Sequence, residues 1–460
     1  MLFKQIYDEK LAQASYFIGC QKTGEAVVVD PRRDIDIYLD EAAKNDMTIV
    51  AVTETHIHAD YLSGSLELAT KTGAKLYLSD EGGEDWQYRF EHTGLRDGDK
   101  ITIGNITLEV LHTPGHTPEH ISFLVTDGAT TDKPGFLLSG DFVFVGDTGR
   151  PDLLDESAGT KDTRKPMARQ LFKSLQEKFL TLPDYVQVWP GHGAGSACGK
   201  ALGAVPSTTV GYESLFAWWA GYLEKNDSEG FVDELISGQP DAPAYFGRMK
   251  RWNRAGSDIL GERDRLEHYT PSALPKDTLF IDTRPHAEFI EGFIPGSLNC
   301  PAGKRFIEWA AWTIDPEHDE RTLVLLASDA DQARQLRDEL SRVGIDNVEG
   351  FVTELGTNAV ARIDEVEPEG LDKLDAPYIL DIRALSEFNE GHIPGAQQLH
   401  GGRVIWNLDK IPKDKSVVMH CRSGTRVGPV ASALHAAGFD NVLELKGSYE
   451  GWLKANKVAT

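Results

Sequence analysis

The sequence lacks any apolar run of about eighteen residues, the shortest stretch that spans a bilayer as a helix, so no membrane segment is expected. Its opening residues, Met1 to Cys20, lack the basic-then-apolar order of a secretory signal. Cysteine is scarce: Cys20, Cys198, Cys300 and Cys421 stand far apart and form no C-x-x-C pair. That spacing excludes a disulfide framework and points to a reducing, cytoplasmic setting. Basic residues are outnumbered, 47 Lys and Arg against 72 Asp and Glu, for a net charge of −25. Such a balance argues against nucleic acid as a partner. Anionic small molecules stay open, because a site can be locally basic within an acidic surface. No low-complexity tract is present, and 460 residues exceed one ordinary core, so about three domains are expected.

Up to about residue 200 the chain alternates short β-branched runs with Gly- and Asp-rich turns. Ala26–Val29, Thr48–Val52, Lys75–Leu78, Ile106–Leu111, Ile121–Val125, Gly135–Leu138 and Val186–Trp189 read as buried strands. Ile37–Asn45, Ser65–Thr72 and Arg169–Lys178 read as helices between them, which suits a sandwich with helices outside. From about 206 the character changes. Tyr212–Leu223 and Gly230–Ile236 look helical, Pro240–Pro243 reads as a turn, and aromatics such as Trp218, Trp219 and Trp252 are dense. A helical cap on the first domain, or a contact between copies in a homo-oligomer, is expected there.

The remainder holds an internal repeat. DTRPHAEFIEGFIPG at Asp282–Gly296 and DIRALSEFNEGHIPG at Asp381–Gly395 align without a gap, and VGIDNVEGF from Val343 pairs with AGFDNVLEL from Ala437. Two matching blocks in one order mean two copies of one domain, whose strand–helix alternation implies a parallel α/β sheet. The acidic stretch Asp364–Lys373, with Pro368 and Gly370, suits the linker.

Chemistry gathers at strand ends. Thr55-His56-Ile57-His58-Ala59-Asp60-Tyr61 follows the Thr48–Val52 run. His112-Thr113-Pro114-Gly115-His116-Thr117 follows Ile106–Leu111, Gly140-Asp141 closes another strand, and Pro190-Gly191-His192-Gly193 follows Val186–Trp189. Imidazoles and carboxylates delivered through tight Gly and Pro turns are what a metal needs. A lone histidine is more often a plain core or surface residue, and His92, His112 and His120 keep that reading.

The order T-H-x-H-x-D, T-P-G-H-T, G-D, P-G-H resembles the metallo-β-lactamase superfamily over about residues 1–205. The resemblance implies an αββα sandwich with its metal at one edge. In the superfamily's dinuclear hydrolases a second histidine follows the Asp; here Tyr61 stands in that place, which leaves Asp60 and His192 over and favours one metal. The branch that fits resembles the persulfide dioxygenases. Carried over, its iron would be held by His56, His116 and Asp141, with positions open for a persulfide and O2. His58, Asp60, Tyr61 and His192 would stand around those ligands. Gly149-Arg150-Pro151-Asp152 is similar to a segment of the same branch. Arg150 would either hold a substrate carboxylate or form a structural pair with Asp152. Cys198, in the Gly-rich loop after His192, would either contact substrate sulfur or simply fill space.

The second repeat carries the other constellation. Val417-Val418-Met419-His420-Cys421-Arg422-Ser423-Gly424-Thr425-Arg426 runs from a strand through a tight loop to a helix start. Inward backbone N–H groups, with Arg422 and Arg426, favour a thiolate and stabilise a persulfide anion on Cys421. Together with DIRALSEFNEGHIPGA the loop resembles a rhodanese; the phosphatase loops of similar outline are one residue longer. In the first repeat Ala327 falls opposite Cys421, and Ser328-Asp329-Ala330-Asp331-Gln332 replaces the basic residues. That copy resembles an inactive rhodanese domain, and Cys300 lies outside its loop.

The whole order resembles the persulfide dioxygenase–rhodanese fusion proteins. Expected are α/β and α+β folds: a metallo-β-lactamase αββα sandwich at 1–260 with its helical extension from about 206, a degenerate rhodanese-like α/β domain at 261–362 and an active one at 370–460. The resemblance implies one Fe(II) per chain, a low-molecular-weight thiol persulfide and O2 as substrates, and sulfite or thiosulfate at Cys421. The thiol (glutathione, coenzyme A or bacillithiol) and the direction of sulfur transfer stay open. The alternatives are a glyoxalase II-like zinc thioester hydrolase fused to a sulfurtransferase, and a sulfur carrier whose metal domain is idle.

Overall fold

The computed structural model describes residues 1–152, 163–200, 202–239, 241–263, 265–275, 277–358 and 360–456. Two compact units divide the chain: Met1–Gln239 with Phe246–Arg263, and Pro240–Tyr245 with Asp264–Thr460. The two repeats therefore share one unit. Of the turn expected at Pro240–Pro243, Pro240 lies outside the described residues.

Unit 1 is built on two six-stranded sheets. The first runs in chain order: β1 (Leu2–Asp8), β2 (Gln13–Cys20), β3 (Glu25–Val29), β4 (Thr48–Thr53), β5 (Lys75–Ser79) and β6 (Thr93–Leu95). The second contains β7 (Lys100–Ile103), β8 (Ile106–His112), β9 (Ile121–Asp127), β10 (Phe136–Gly140), β11 (Gln187–Pro190) and β12 (Thr208–Thr209). The seven expected strands all appear, each within two residues of its expected ends. The pleat explains why their patterns read as continuous runs: Val27 and Val29 face the core between the sheets, while Ala26 and Val28 face the outer helical layer. Tyr38 and Leu68, from helices Asp36–Lys44 and Ser65–Thr72, complete that outer layer. Across the sandwich, Phe172, Trp219 and Phe231 cover the second sheet. The extension from 206 is thus a cap on the sandwich, giving helix outside each of two sheets, the αββα order.

Two helices depart from expectation. Arg169–Lys178 begins earlier, as Arg164–Ser174, and ends in a π-helical turn, Leu175–Phe179. Tyr212–Leu223 is two pieces, Val210–Phe216 and Ala220–Glu224, because Ala217 is extended. The break lets Trp219 bury completely while Trp218 Nε1 donates to Asp147 Oδ1 at 2.8 Å. A further helix, Tyr245–Ala255, closes the unit.

Unit 2 contains two five-stranded parallel sheets. The first has β13 (Glu267–His268), β14 (Leu279–Asp282), β15 (Leu298–Asn299), β16 (Leu323–Leu326) and β17 (Val348–Val352) in the order β13-β17-β16-β14-β15. The second has β18 (Asp364–Val366), β19 (Tyr378–Asp381), β20 (Gln397–Gln398), β21 (Val417–His420) and β22 (Val442–Leu445) in the order β18-β22-β21-β19-β20. The two orders are the same, strand for strand. The recurring Asp-x-Arg also does the same work twice. Arg284 donates to Asp282 and to Gly292 O at 2.8 Å, and Arg383 donates to Asp381 and to Gly391 O at 2.7 Å. Each pair ties a strand end to the following Glu-Gly turn. The copies are braced to each other by Asn299 N–H donating to Ser432 Oγ at 2.9 Å and by His286 Nε2 against Glu444 Oε2 at 2.7 Å. Among the described residues no helix is long and apolar enough to cross a membrane.

Candidate metal centre and sulfur-transfer loop

The ends of β4, β8, β10 and β11 deliver His56, His116, Asp141 and His192 to one place. His56, His116 and Asp141 are buried, and their ligand-type atoms lie within 4.8 Å of one another. Asp141 Oδ2 is 3.9 Å from His56 Nε2 and 3.6 Å from His116 Nε2. Gly140 makes this approach possible: its φ is +51°, and a Cβ there would lie 2.6 Å from Thr55 Oγ1 and 2.7 Å from His120 Nε2.

Neighbouring acceptors fix the tautomers. His116 Nδ1 donates to Arg150 O at 2.9 Å, so its Nε2 is bare. Thr55 Oγ1 donates to Asp30 Oδ2 at 2.9 Å and thus accepts from His56 Nδ1, also at 2.9 Å, leaving that Nε2 bare as well. Burial first, then the crowd of histidines, holds His56 well below the ordinary imidazole value; burial likewise lowers His116, against the pull of Asp141. Both rings are neutral donors of a lone pair. Both oxygens of Asp141 are buried with no hydrogen-bond donor. Two bare imidazole nitrogens around a carboxylate with no hydrogen-bond donor fit a cation, which removes the cost of burying those oxygens unsatisfied.

His58 is not in the group of three. Its Nε2 faces Asp30 Oδ1 at 3.1 Å and its Nδ1 is buried without a partner. Burial opposes its charge, yet Asp30 and Glu54 push it up to about 9. His120 accepts from Asp141 N–H at 3.0 Å and faces Thr113 Oγ1 at 2.8 Å, while His112 and His92 face the Pro118 and Phe90 carbonyls. None of these three joins the cluster among the described residues.

Asp60, His192 and Cys198 form a second buried group, again within 4.8 Å. His192 Nδ1 donates to Ala12 O at 3.1 Å, and its Nε2 lies 3.4 Å from Asp60 Oδ2 and 3.5 Å from Asp141 Oδ1. Burial disfavours charge on His192, but Asp141, Cys198 and Asp60 together hold it well above the ordinary value. Burial pushes the Cys198 thiol up to about 12. Tyr61 turns its hydroxyl to Asp30 O, 3.3 Å away, and burial keeps it a neutral phenol. Arg150 is fully engaged: Nε and Nη2 grip Asp152, and Nη1 donates to Ala197 O at 3.0 Å. Its partners are thus the Asp152 carboxylate and, as a second attachment, the Cys198 loop.

Cys421 is buried directly after β21. Its Sγ accepts from Gly424 N–H at 3.2 Å, and Ser448 Oγ, which accepts from Cys421 N–H at 3.3 Å, lies 3.8 Å from the sulfur. Both terminal nitrogens of Arg426 donate to Glu387, at 2.6 and 2.8 Å; burial opposes its charge, but Glu387 and the nearby Cys421 raise its pKa. Arg422 is exposed and pairs with Glu450 at 3.1 Å. In the first repeat Ala327 follows β16, and the loop is closed on itself: Asp329 accepts from the N–H groups of Asp331 and Gln332, and Ser328 N–H donates to Gln332 Oε1 at 2.7 Å. Cys300 is buried beside Thr313, its thiol pushed up to about 12 by burial.

Residues missed in the sequence are Asp30, which directly follows β3 and orients both His56 and His58; Thr55, whose hydroxyl links Asp30 to His56; Ser448; and Asn253, whose amide binds the His58–Ser63 turn. Asp30 could have been found as an acid closing an apolar run, like Asp141. Asn253 left no signal.

This arrangement is a metal-site sandwich joined to a cysteine-loop α/β unit. The family described as the metallo-beta-lactamase superfamily matches residues 9–192, and the rhodanese-like domain matches residues 368–455. A crystal structure of a metallo-beta-lactamase from Staphylococcus aureus subsp. aureus COL is 40% identical, covers 77% of this chain and 99% of its own, and superposes with a TM-score of 0.67. The mitochondrial persulfide dioxygenase ETHE1 of Bos taurus is 28% identical over 200 residues, 42% of this chain and 68% of that protein. The probable polyketide biosynthesis zinc-dependent hydrolase BaeB of Bacillus velezensis is 25% identical over 208 residues, 45% of this chain and 84% of that protein. The chain belongs to the metallo-β-lactamase superfamily and carries a C-terminal rhodanese-like domain.

Proposed function

We propose that the chain oxidises a low-molecular-weight thiol persulfide with O2 at one iron, and that Cys421 carries sulfane sulfur to or from a small acceptor. One persulfide, one O2 and one water give one thiol and one sulfurous acid; the sulfane sulfur loses four electrons and O2 gains them. The observation that carries the reading is the donor set itself: the bare Nε2 atoms of His56 and His116 beside the unpartnered carboxylate of Asp141. Two imidazoles and a carboxylate suit Fe(II) with sites left for two further ligands. Bound there, iron supplies the electron exchange with O2 that no side chain provides.

The protein's own part is orientation. Arg150 O and the Asp30–Thr55 pair fix the rings of His116 and His56. His58, with Asp60, Tyr61 and His192, lines the surroundings, and Cys198, a protonated thiol beside His192, is where the substrate sulfur would pass. Arg150 holds the Cys198 loop rather than the substrate. At Cys421, Gly424 N–H and Arg426 stabilise sulfur anions, so Cys421 and Arg426 are the sulfur-transfer residues, with Arg422 adding charge at the rim. The first repeat, with the same strand order and no thiol in its loop, is a silent rhodanese-like domain. Similarity to a persulfide dioxygenase over the metal unit supports this reading.

The Asp60–His192–Cys198 group beside Asp141 Oδ1, together with the similarity to a zinc-dependent hydrolase, supports a second reading, a two-zinc thioester hydrolase. Metal analysis of protein made without added metal separates the two. One iron per chain and oxygen uptake driven by a thiol persulfide support the first; two zinc, thioester cleavage and no oxygen uptake sink it.

A further inference from the structure

Residues 54–64, which carry His56, His58 and Asp60, contain no helix or strand apart from an isolated Arg32–Ser63 bridge. A buried loop of this kind must satisfy its backbone polar groups by other means. Thr55 and Ile57 N–H donate to Asp30 and Glu119, Gly64 N–H donates to Pro31 O, and the turn from His58 to Ser63 is held from helix Tyr245–Ala255, outside the 9–192 stretch that the superfamily matches. Asn253 is buried, and its Nδ2 donates to His58 O and to Tyr61 O, each at 2.8 Å. Its Oδ1 accepts from Ser63 N–H, also at 2.8 Å. One planar amide, with two donors and an acceptor, thereby clamps both sides of the turn that bears Asp60.

We infer that Asn253 is a positioning residue of the metal centre: it holds the His56–Asp60 loop in the shape that binds the cation. The inference rests on the reading of this site as a metal centre. The helix has other anchors that do not touch the loop. Arg254 donates to Gln87 O at 3.2 Å and to Glu84 O at 3.0 Å, and in the segment after the helix Leu260 and Gly261 N–H donate to Glu67. Arg254 is therefore an internal control for loosening the helix alone.

The test titrates metal-free full chain with Zn²⁺ against a chromophoric chelator and records the visible spectrum with Co²⁺, for wild type, Asn253→Ala, Asn253→Asp and Arg254→Ala. Asn253→Ala is expected to weaken Zn²⁺ binding about tenfold or more, the range seen when partners of metal ligands are removed, and to shift the Co²⁺ bands. Asn253→Asp keeps the shape but sets an acceptor against two carbonyls, and should do the same; it decides the matter if circular dichroism shows that the alanine variant is unfolded. Arg254→Ala should lower the melting temperature of metal-free protein and leave affinity and spectrum as in wild type. Wild-type affinity and spectrum in a folded Asn253 variant overturn the inference, and so does an equal loss in Arg254→Ala. Wild type that binds Zn²⁺ but, loaded with iron, takes up no O2 with persulfide overturns the proposed function alone.

Discussion

The two centres of this chain are electrostatic opposites. In unit 1, acceptors converge and donors are missing: bare imidazole nitrogens and the empty-handed oxygens of Asp141 face one another. In unit 2 a buried sulfur accepts from Gly424 N–H, with the Arg426 cation, held by Glu387, as the nearby positive charge. The first arrangement waits for a cation, the second for an anion. The loop at Ala327 shows the contrast: it carries no thiol, and Gln332 and Asp329 take up the N–H groups of Ser328, Asp331 and Gln332. Specialisation here lies in which backbone and side-chain groups are left unsatisfied, since the sheets around the two loops have the same order.

Breaking either centre should spare the other. Asp141→Asn removes the charge a cation needs; persulfide-driven oxygen uptake should fall about a thousandfold, the several kcal/mol a bound metal contributes, with sulfur transfer from thiosulfate unchanged. Cys421→Ser should reverse the pattern, taking sulfur transfer to background while oxygen uptake persists. Restoring a thiol to the silent loop, Ala327→Cys in the Cys421→Ser background, should return no sulfur transfer, because its N–H groups are already taken. Arg426→Gln removes the cation but not the nucleophile and should slow sulfur transfer about tenfold, the weight of one charge-assisted hydrogen bond.

The smallest effect concerns the brace between the two copies. Burial opposes charge on His286, but Glu444 and Asn299 raise it above its ordinary value of 6.5. A raised histidine contributes stability that is fully present below the unfolded value and is lost as pH rises through the folded one. The melting temperature of the full chain should therefore drop a little as pH rises above 6.5, and His286→Gln should flatten that slope.

The strand ends and the repeat were legible because each leaves a local signature: period, turn residues and motif order. The seven buried runs, His56, His116, Asp141 and Cys421 were read this way. What escaped depends on distant partners. The brace of Arg150 on Ala197 O and the clamp of Asn253 on a turn some 190 residues earlier are fixed by tertiary contacts that no window of sequence contains. Arg422 and Arg426 were read alike, as positive charge in one loop; local spacing cannot tell which one pairs with Glu450 at the surface.

The most direct measurement is oxygen consumption by iron-loaded full chain given glutathione, coenzyme A or bacillithiol persulfide in turn, with sulfite assayed alongside. One O2 consumed and one sulfite formed per persulfide, in wild type and Cys421→Ser alike and absent in Asp141→Asn, is the predicted result. No persulfide-driven oxygen uptake with iron in place would contradict it.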